Sequence, residues 1–252
     1  MGLKIEFLAK IDHARSRMRS IAARLRKRPT DSRDYDRQTV AVMERVLGAT
    51  SNCLDIGASA GELLKHMVRL APRGTHFAFE PLPDFYHTLV KRFPDVRVHN
   101  VALSDTTEES TPFQRVVSNP AYSGLRRRRY DRPEERVEEI VVRTARLDEL
   151  IPQKVHIHFV KMDVEGGEFQ VLKGGVETVR HNRPFIVFEF GLGGADWYGI
   201  QPEDMYRLLS GYGLDVSLIS DWLSGKTPLG EREFAAEFHD CRNYYFLAHP
   251  RG

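Results

Sequence analysis

Cysteine is scarce in this chain: its 252 residues contain two, Cys53 and Cys241. Two thiols cannot build a disulfide framework, and no Cys/His spacing suits a zinc site. Both lie within or beside apparent strands, where a thiol packs as a small apolar side chain, as expected in a reducing cytosol. Long apolar runs are also missing. Nothing approaches the roughly 20 apolar residues of a membrane-spanning helix. The N-terminal segment lacks the apolar core of a signal peptide, so a cytoplasmic protein is expected. Excess charge is slight, with 37 Lys+Arg against 35 Asp+Glu for a formal net charge of +2. That balance alone does not argue for nucleic acid, and DNA is not an expected partner. No internal repeat or low-complexity linker interrupts a length that suits one α/β domain.

The near-neutral balance hides an uneven distribution. The first 28 residues carry nine cations, Lys4, Lys10, Arg15, Arg17, Arg19, Arg24, Arg26, Lys27 and Arg28, against Glu6 and Asp12. Phe7, Leu8, Ile11, Met18, Ile21 and Leu25 recur near one helical face, so residues 1–30 read as a basic N-terminal helix ending at Pro29. Such a helix can cover the core, pair with a partner, or meet an anionic membrane peripherally. A second helix is expected over Asp36 to Leu47.

From Asn52 onward apolar runs alternate with helical patterns. Strands are expected at Cys53 to Ile56, Thr75 to Phe79, Val96 to Val101, His156 to Met162 and Pro184 to Phe190. Helices are expected at Gly61 to Leu70, Asp84 to Phe93, Glu168 to Val179 and Pro202 to Gly211. This βα alternation predicts an α/β fold with a mainly parallel sheet and helices on both faces. Two last strands, Leu214 to Ile219 and Tyr244 to Ala248, follow one another without a convincing helix between them. The pattern predicts a C-terminal antiparallel hairpin, as in Rossmann-like methyltransferases, and so seven strands. Residues 31–252 form that domain, interrupted at about 105–150, where Pro112 to Val117 and Glu139 to Arg146 look extended around Arg126 to Arg129. Such an insertion is either a substrate-facing cap or a mobile loop.

Chemistry concentrates at three motifs. In Leu54-Asp55-Ile56-Gly57-Ala58-Ser59-Ala60-Gly61-Glu62 a strand enters a tight glycine turn and a helix follows at once. Gly57 and Gly61 admit positive φ and close ligand approach beside Ala58, and a helix start offers N–H donors to a carboxylate. Asp55 suits a cationic amine. Glu80, in Phe79-Glu80-Pro81 at the tip of the next strand, lies roughly 20 residues beyond the turn, the interval of ribose-binding acids. In Lys161-Met162-Asp163-Val164-Glu165-Gly166-Gly167-Glu168, Asp163 and Glu165 emerge at the carboxyl edge of a buried strand, and Glu189 does so one strand later. Carboxylates converging there need a cation, an amine or a shared proton. Glu168 reads as compensation for its helix N-terminus.

These segments, together with Asn100-Val101-Ala102-Leu103-Ser104-Asp105, Val171-Leu172-Lys173-Gly174 and Val187-Phe188-Glu189, resemble the FkbM family of methyltransferases over about Asp36 to Pro250. The resemblance implies S-adenosylmethionine as cofactor, held by Asp55, Gly57, Ala58, Gly61, Glu80, Pro81, Ser104, Asp105 and Asp163. It also implies methylation of hydroxyls on sugars, glycolipids or polyketide-like metabolites in bacterial secondary or envelope metabolism.

A sugar hydroxyl is a poor nucleophile, so a general base or a hard cation is needed. Asp163, Glu165 and Glu189 are the acidic candidates, and His239 is the candidate among the histidines. Asp163 and Glu189 are also the candidate ligands for Mg²⁺. Tyr122, Ser123 and Arg126 can grip a polyhydroxylated or anionic acceptor, and Trp197 and Trp222, in loops at strand ends, can stack on a sugar. His156 and His158 read as strand packing residues. Two other readings compete: a nitrogen methyltransferase acting on RNA, with the basic segment as footprint, and a cofactor-binding scaffold without catalysis. Against the first, Asp163-Val164-Glu165-Gly166 stands where an amine-binding Asn-Pro-Pro-Tyr tetrapeptide would. Against the second, Asp55, Gly57, Glu80 and Asp163 are intact. The expected partners are a small-molecule or glycan acceptor and a second copy of the chain in a homodimer.

Overall fold

The computed structural model describes residues 32–130 and 135–252. The basic helix expected at residues 1–30, with its membrane contact, lies outside them. Helix α1 (Ser32–Val46) leads into strand β1 (Cys53–Ile56), α2 (Leu64–Leu70), β2 (Phe77–Phe79), α3 (Pro83–Arg92) and β3 (Arg97–His99). After the insertion come β7 (Phe159–Met162), α5 (Glu168–Gly174), α6 (Val176–Asn182), β8 (Phe185–Glu189), α7 (Pro202–Gly211), β9 (Leu214–Leu218), α8 (Ile219–Leu223), α9 (Glu231–His239) and β10 (Tyr245–Pro250). The seven-stranded sheet has the order β3-β2-β1-β7-β8-β10-β9. β10 pairs antiparallel with both β8 and β9, and the other pairs are parallel.

Strand alternation sorts the core into two layers. Leu54, Ile56, Phe77, Phe79, Val160, Met162, Ile186 and Phe188 face Val171, Leu172, Val179, Met205, Leu209 and Phe234 from α5, α6, α7 and α9. Cys53, Ala78, Phe159, Val187 and Leu247 face Val42, Met43, Leu64, Met67, Leu89 and Ile219 on the other side. Both cysteines are buried and form no disulfide, and burial pushes the Cys53 thiol up to about 12. No helix among the described residues is long and apolar enough to cross a membrane.

Several expected boundaries move. The helix expected from Gly61 starts at Leu64, because Gly61 holds φ +80° and extends the turn. The strand expected from His156 starts at Phe159; His156 and His158 lie before it, and the Nδ1 of His158 accepts the N–H of Asn52. The helix expected over Glu168 to Val179 breaks at Gly175 into α5 and α6. β9 and β10 do pair antiparallel, but α8 and α9 lie between them. α9 was hidden because Phe234, Ala235 and Phe238 alone carry its apolar face, while Glu231, Arg232, Glu233 and Glu237 fill the rest.

The insertion is ordered where it is described. β4 (Ala102–Leu103), β5 (Glu108–Val116) and β6 (Val137–Ala145) form a separate sheet in the order β4-β6-β5, followed by α4 (Leu147–Leu150). Ala102, Phe113 and Val142 bury against Leu82, with Phe85, Leu125 and Ile140 packed around them. This small core anchors the insertion to the start of α3.

Candidate active site

Period-two geometry decides what meets at the carboxyl edge. Asp55 and Lys161 are cross-strand partners on β1 and β7, and Glu189 and Tyr245 are partners on β8 and β10. All four occupy positions alternating with the apolar residues of the α5-side layer, so they share the α1 side of the sheet.

Lys161 is buried, and its ammonium donates to the Gly57 carbonyl at 2.7 Å. It stands 3.7 Å from Asp55 Oδ1 and 4.0 Å from Asp163 Oδ2. Burial disfavours its charge, but the carboxylates of Asp55, Asp163, Glu80 and Asp36 outweigh this and its pKa is raised. Asp55 is 1% exposed; burial raises its pKa, and the Lys161 ammonium and the Leu64 N–H oppose the rise. Lys161 lies inside the motif around Asp163, and no local spacing gives it a role. The signal was present: a lysine in the wholly buried strand Phe159–Met162 must find an anion.

Gly57 holds φ +71°, and a Cβ there would stand 1.9 Å from the Asp163 carbonyl oxygen. The glycine is therefore required by the close approach of the backbone after β1 to the Asp163 carbonyl at the end of β7. Glu80 is buried at the tip of β2; its Oε2 accepts the Ser59 N–H at 2.8 Å and its Oε1 the Leu82 N–H at 2.9 Å. Burial raises its pKa, partly countered by those two bonds.

Two cavities meet at Ser59 and Asp163, which line both. The first, of about 610 Å³, runs between Gly57, Glu80 and Pro81 on one side and Phe113, Ser123, Gly124 and Leu125 of the insertion on the other. Ile56, Phe79, Val101 and Leu103 make its apolar floor. The second, of about 600 Å³, lies under α1 and is lined by Asp36, Thr39, Asp55, Ala58, Lys161 and Tyr245, among others.

Asp163 Oδ2 accepts the Tyr245 hydroxyl at 2.7 Å, while its buried Oδ1 has no partner. Burial and the neighbouring carboxylates of Asp163 and Glu189 hold the Tyr245 phenol well above its usual pKa. Oxygens of Asp163, Glu168 and Glu189 lie within 4.8 Å of one another. Burial, followed by the charge of Asp163, pushes Glu189 up to about 8. Burial pushes Glu168 up to about 7. Glu168 stands in the first turn of α5, and its Oε1 accepts the Val164 N–H at 2.9 Å and the Gly166 N–H at 3.4 Å from the loop before that helix. It is fully buried, and its Oε2 is without a hydrogen-bond partner.

Glu165 holds φ +61°, a left-handed conformation uncommon outside glycine, and pairs with Arg128 of the insertion. Arg128 Nη1 also lies 3.9 Å from Glu189 Oε2, and its guanidinium covers the Tyr122 ring at 4.9 Å. The arginine cluster thus divides. Arg128 turns inward with 9% of its side chain exposed, whereas Arg126, Arg127 and Arg129 are exposed.

The remaining expected residues scatter. Ser123 lines the first cavity, although its hydroxyl accepts the Val116 N–H at 3.0 Å. Arg126 donates to the Trp197 carbonyl at 3.4 Å and lies over the Tyr198 ring, and Trp197 is 50% exposed. Gly61 packs on Leu89 and Phe93 rather than lining a cavity. Ser104 and Asp105 line neither cavity. Asp105 pairs with Lys173 at 2.8 Å, because β4 carries the chain toward α5. Trp222 sits on α8, which folds back along the sheet, and packs on Phe185 and His249 beneath Arg45, away from Glu189. His239 is exposed at the end of α9 and lines neither cavity.

A parallel sheet closed by an antiparallel last strand, a glycine turn after β1 and acids at the tips of β1, β2 and β7 define a Rossmann-like methyltransferase. The methyltransferase FkbM domain matches residues 55–215, and the chain belongs to the FkbM family of S-adenosylmethionine-dependent methyltransferases. It is 28% identical over 194 residues, 69% of this chain and 75% of the relative, to the 2-O-methyltransferase NoeI of Sinorhizobium fredii. The FkbM methyltransferase structure from Methylobacillus flagellatus aligns with a TM-score of 0.49 and 16% identity, covering 81% of this chain and 44% of that one. This chain therefore spans less than half the length of that protein. Fibrillarin from Aeropyrum pernix, solved with natively bound S-adenosyl-L-methionine, aligns with a TM-score of 0.42 and 12% identity over 84% of this chain and 74% of that one.

Proposed function

We propose that this methyltransferase acts on a hydroxyl oxygen of a saccharide, glycolipid or secondary metabolite. The observation that carries the reading is Asp163: a strand-end carboxylate with one oxygen held by Tyr245 and the other unpartnered, where the two cavities meet. A relative named as a 2-O-methyltransferase supports oxygen as the target atom.

The cofactor fits the residues present. Glu80 has lone pairs left for ribose hydroxyls beside the apolar floor of Phe79, Val101 and Leu103, which suits a flat base. The buried Asp55 carboxylate and the turn from Ala58 to Leu63 suit the amino-acid end in the second cavity. When bound, S-adenosylmethionine would supply an electrophilic methyl group for transfer to the acceptor oxygen, its sulfur keeping the electron pair of the methyl–sulfur bond. Asp163 orients the hydroxyl and accepts its proton. Lys161 holds Gly57 and keeps the turn, Asp55 and Asp163 in register. The insertion walls the cleft opposite Glu80 through Phe113, Ser123, Gly124 and Leu125. Trp197 and Arg126 offer an outer platform for a sugar face.

The reading is tested first by binding. Calorimetry on the full chain is expected to show S-adenosylhomocysteine binding, weakened roughly ten- to a hundredfold in Glu80→Ala, the worth of a charge-assisted hydrogen bond. No binding by the wild type would end the reading. Trp197→Ala is expected to raise KM for a saccharide acceptor several-fold and leave cofactor affinity unchanged. An unchanged KM would remove Trp197 from the acceptor site.

A further inference from the structure

We infer that Asp163, Glu168 and Glu189 form a binding site for one divalent cation, Mg²⁺ or Mn²⁺ by donor type, facing the acceptor side of the site. The inference rests on the proposed reading only in placing the acceptor at Asp163.

One oxygen from each residue lies within 4.8 Å of the other two. Oxygens ligating one hard cation at about 2.1–2.4 Å stand roughly 3–4.8 Å apart, so the three need little movement to share an ion. An all-carboxylate set selects a hard cation over zinc or copper. Proximity of acids alone would not make a site. The independent observation is Glu168: it is 0% exposed, and its Oε2 has no hydrogen-bond partner. A buried carboxylate oxygen left unsatisfied is costly, and native interiors rarely tolerate one without an ion or a water. The buried Oδ1 of Asp163 is likewise unpartnered.

Two protein cations border the cluster, Lys161 at 4.0 Å from Asp163 Oδ2 and Arg128, and no ion pair joins either to Glu168 among the described residues. Arg128 pairs with Glu165 and approaches Glu189 at 3.9 Å, and no contact joins it to Asp163 or Glu168 among the described residues. Arg128 serves the Glu165 and Glu189 side of the edge and Lys161 the Oδ2 side of Asp163, which leaves the Glu168 carboxylate without an ion-pair partner among the described residues. A small cavity of about 200 Å³, lined by Arg128, Glu168, Glu189 and Tyr244 among others, adjoins the cluster on that side. Three protein ligands leave open positions on a six-coordinate ion. Two neighbouring hydroxyls of a polyol fit such positions, whereas an isolated hydroxyl gains less. The inferred site therefore favours acceptors with vicinal oxygens.

The test uses the full chain after chelator treatment and gel filtration. Mn²⁺ titration followed by electron paramagnetic resonance is expected to show one bound ion per chain, displaced by Mg²⁺. Glu168→Gln is expected to weaken Mn²⁺ by about tenfold or more, because affinity follows ligand charge count. Glu189→Gln is expected to do the same and serves if the first variant does not fold. S-adenosylhomocysteine affinity is measured alongside and is expected to change less than threefold in either variant. An undiminished free-Mn²⁺ signal with the wild type overturns the site and leaves a proton shared among the three carboxylates. Loss of cofactor binding with Mn²⁺ binding intact would instead fault the cofactor reading and leave the metal site standing.

Discussion

Asp163→Asn is expected to lower turnover by roughly 10²–10⁴, the usual worth of a positioned acid–base group. The fold and S-adenosylhomocysteine affinity should remain close to wild type. Asparagine keeps the size of the side chain, and its amide oxygen can still accept the Tyr245 hydroxyl that Asp163 Oδ2 now takes at 2.7 Å. What it loses is the charge at the unpartnered Oδ1 and the ability to take a proton. A drop in kcat with unchanged KM for cofactor is the signature of an interaction made in the transition state. Chelation of the wild type then separates the two ways in which Asp163 can serve. Turnover unaffected by chelator assigns it as proton acceptor, and chelator-sensitive turnover assigns it as ligand of the inferred cation. Near-normal turnover in Asp163→Asn would move the chemistry away from the β7 edge altogether.

Arg128→Met is expected to cost about 3–5 kcal/mol of stability, the usual penalty for removing one partner of a buried ion pair. Arg128 and Glu165 keep only 9% and 10% of their side chains exposed. Water cannot easily replace the guanidinium beside Glu165 and Glu189. The loss should appear as a lower midpoint in urea and as faster proteolysis between β5 and β6, because Arg128 ties that connection to the sheet edge. Arg126→Met is the control. It is exposed, and its bond to the Trp197 carbonyl is long at 3.4 Å, so a change under 1 kcal/mol is expected. Equal stability of both variants would show that the insertion is held by the small core of Ala102, Phe113 and Val142 rather than by the ion pair.

These two residues illustrate unequal legibility. Asp163 stood out because it ends an apolar run and opens a glycine-rich motif, features carried by neighbours in sequence. Arg128 sits inside Arg126 to Arg129, where four like residues in a row offer no local reason to bury one. Its selection depends on Glu165, whose left-handed φ turns that carboxylate toward the insertion. Tyr245 was equally hidden, since an aromatic in a strand reads as core until its cross-strand partner proves to be Glu189. Asp105 shows the other side of this. It belongs to a recognisable motif, but Lys173 on α5 claims its carboxylate.

The amino-acid sequence by itself determined the alternation of strands and helices, the glycine turn at Gly57 and the acids at Asp55, Glu80, Asp163 and Glu189. Each of these rests on period, spacing or φ requirements that span a few neighbouring residues. Tertiary structure alone decided which side chains meet. Strand order brings β10 beside β8 and sets Tyr245 against Asp163, and register sets Lys161 opposite Asp55. The packing of the insertion onto α3 lets Arg128 reach Glu165. The reason is physical: local propensity acts over one turn or one pleat, whereas these contacts join residues far apart in the chain whose pairing exists only once the sheet is assembled.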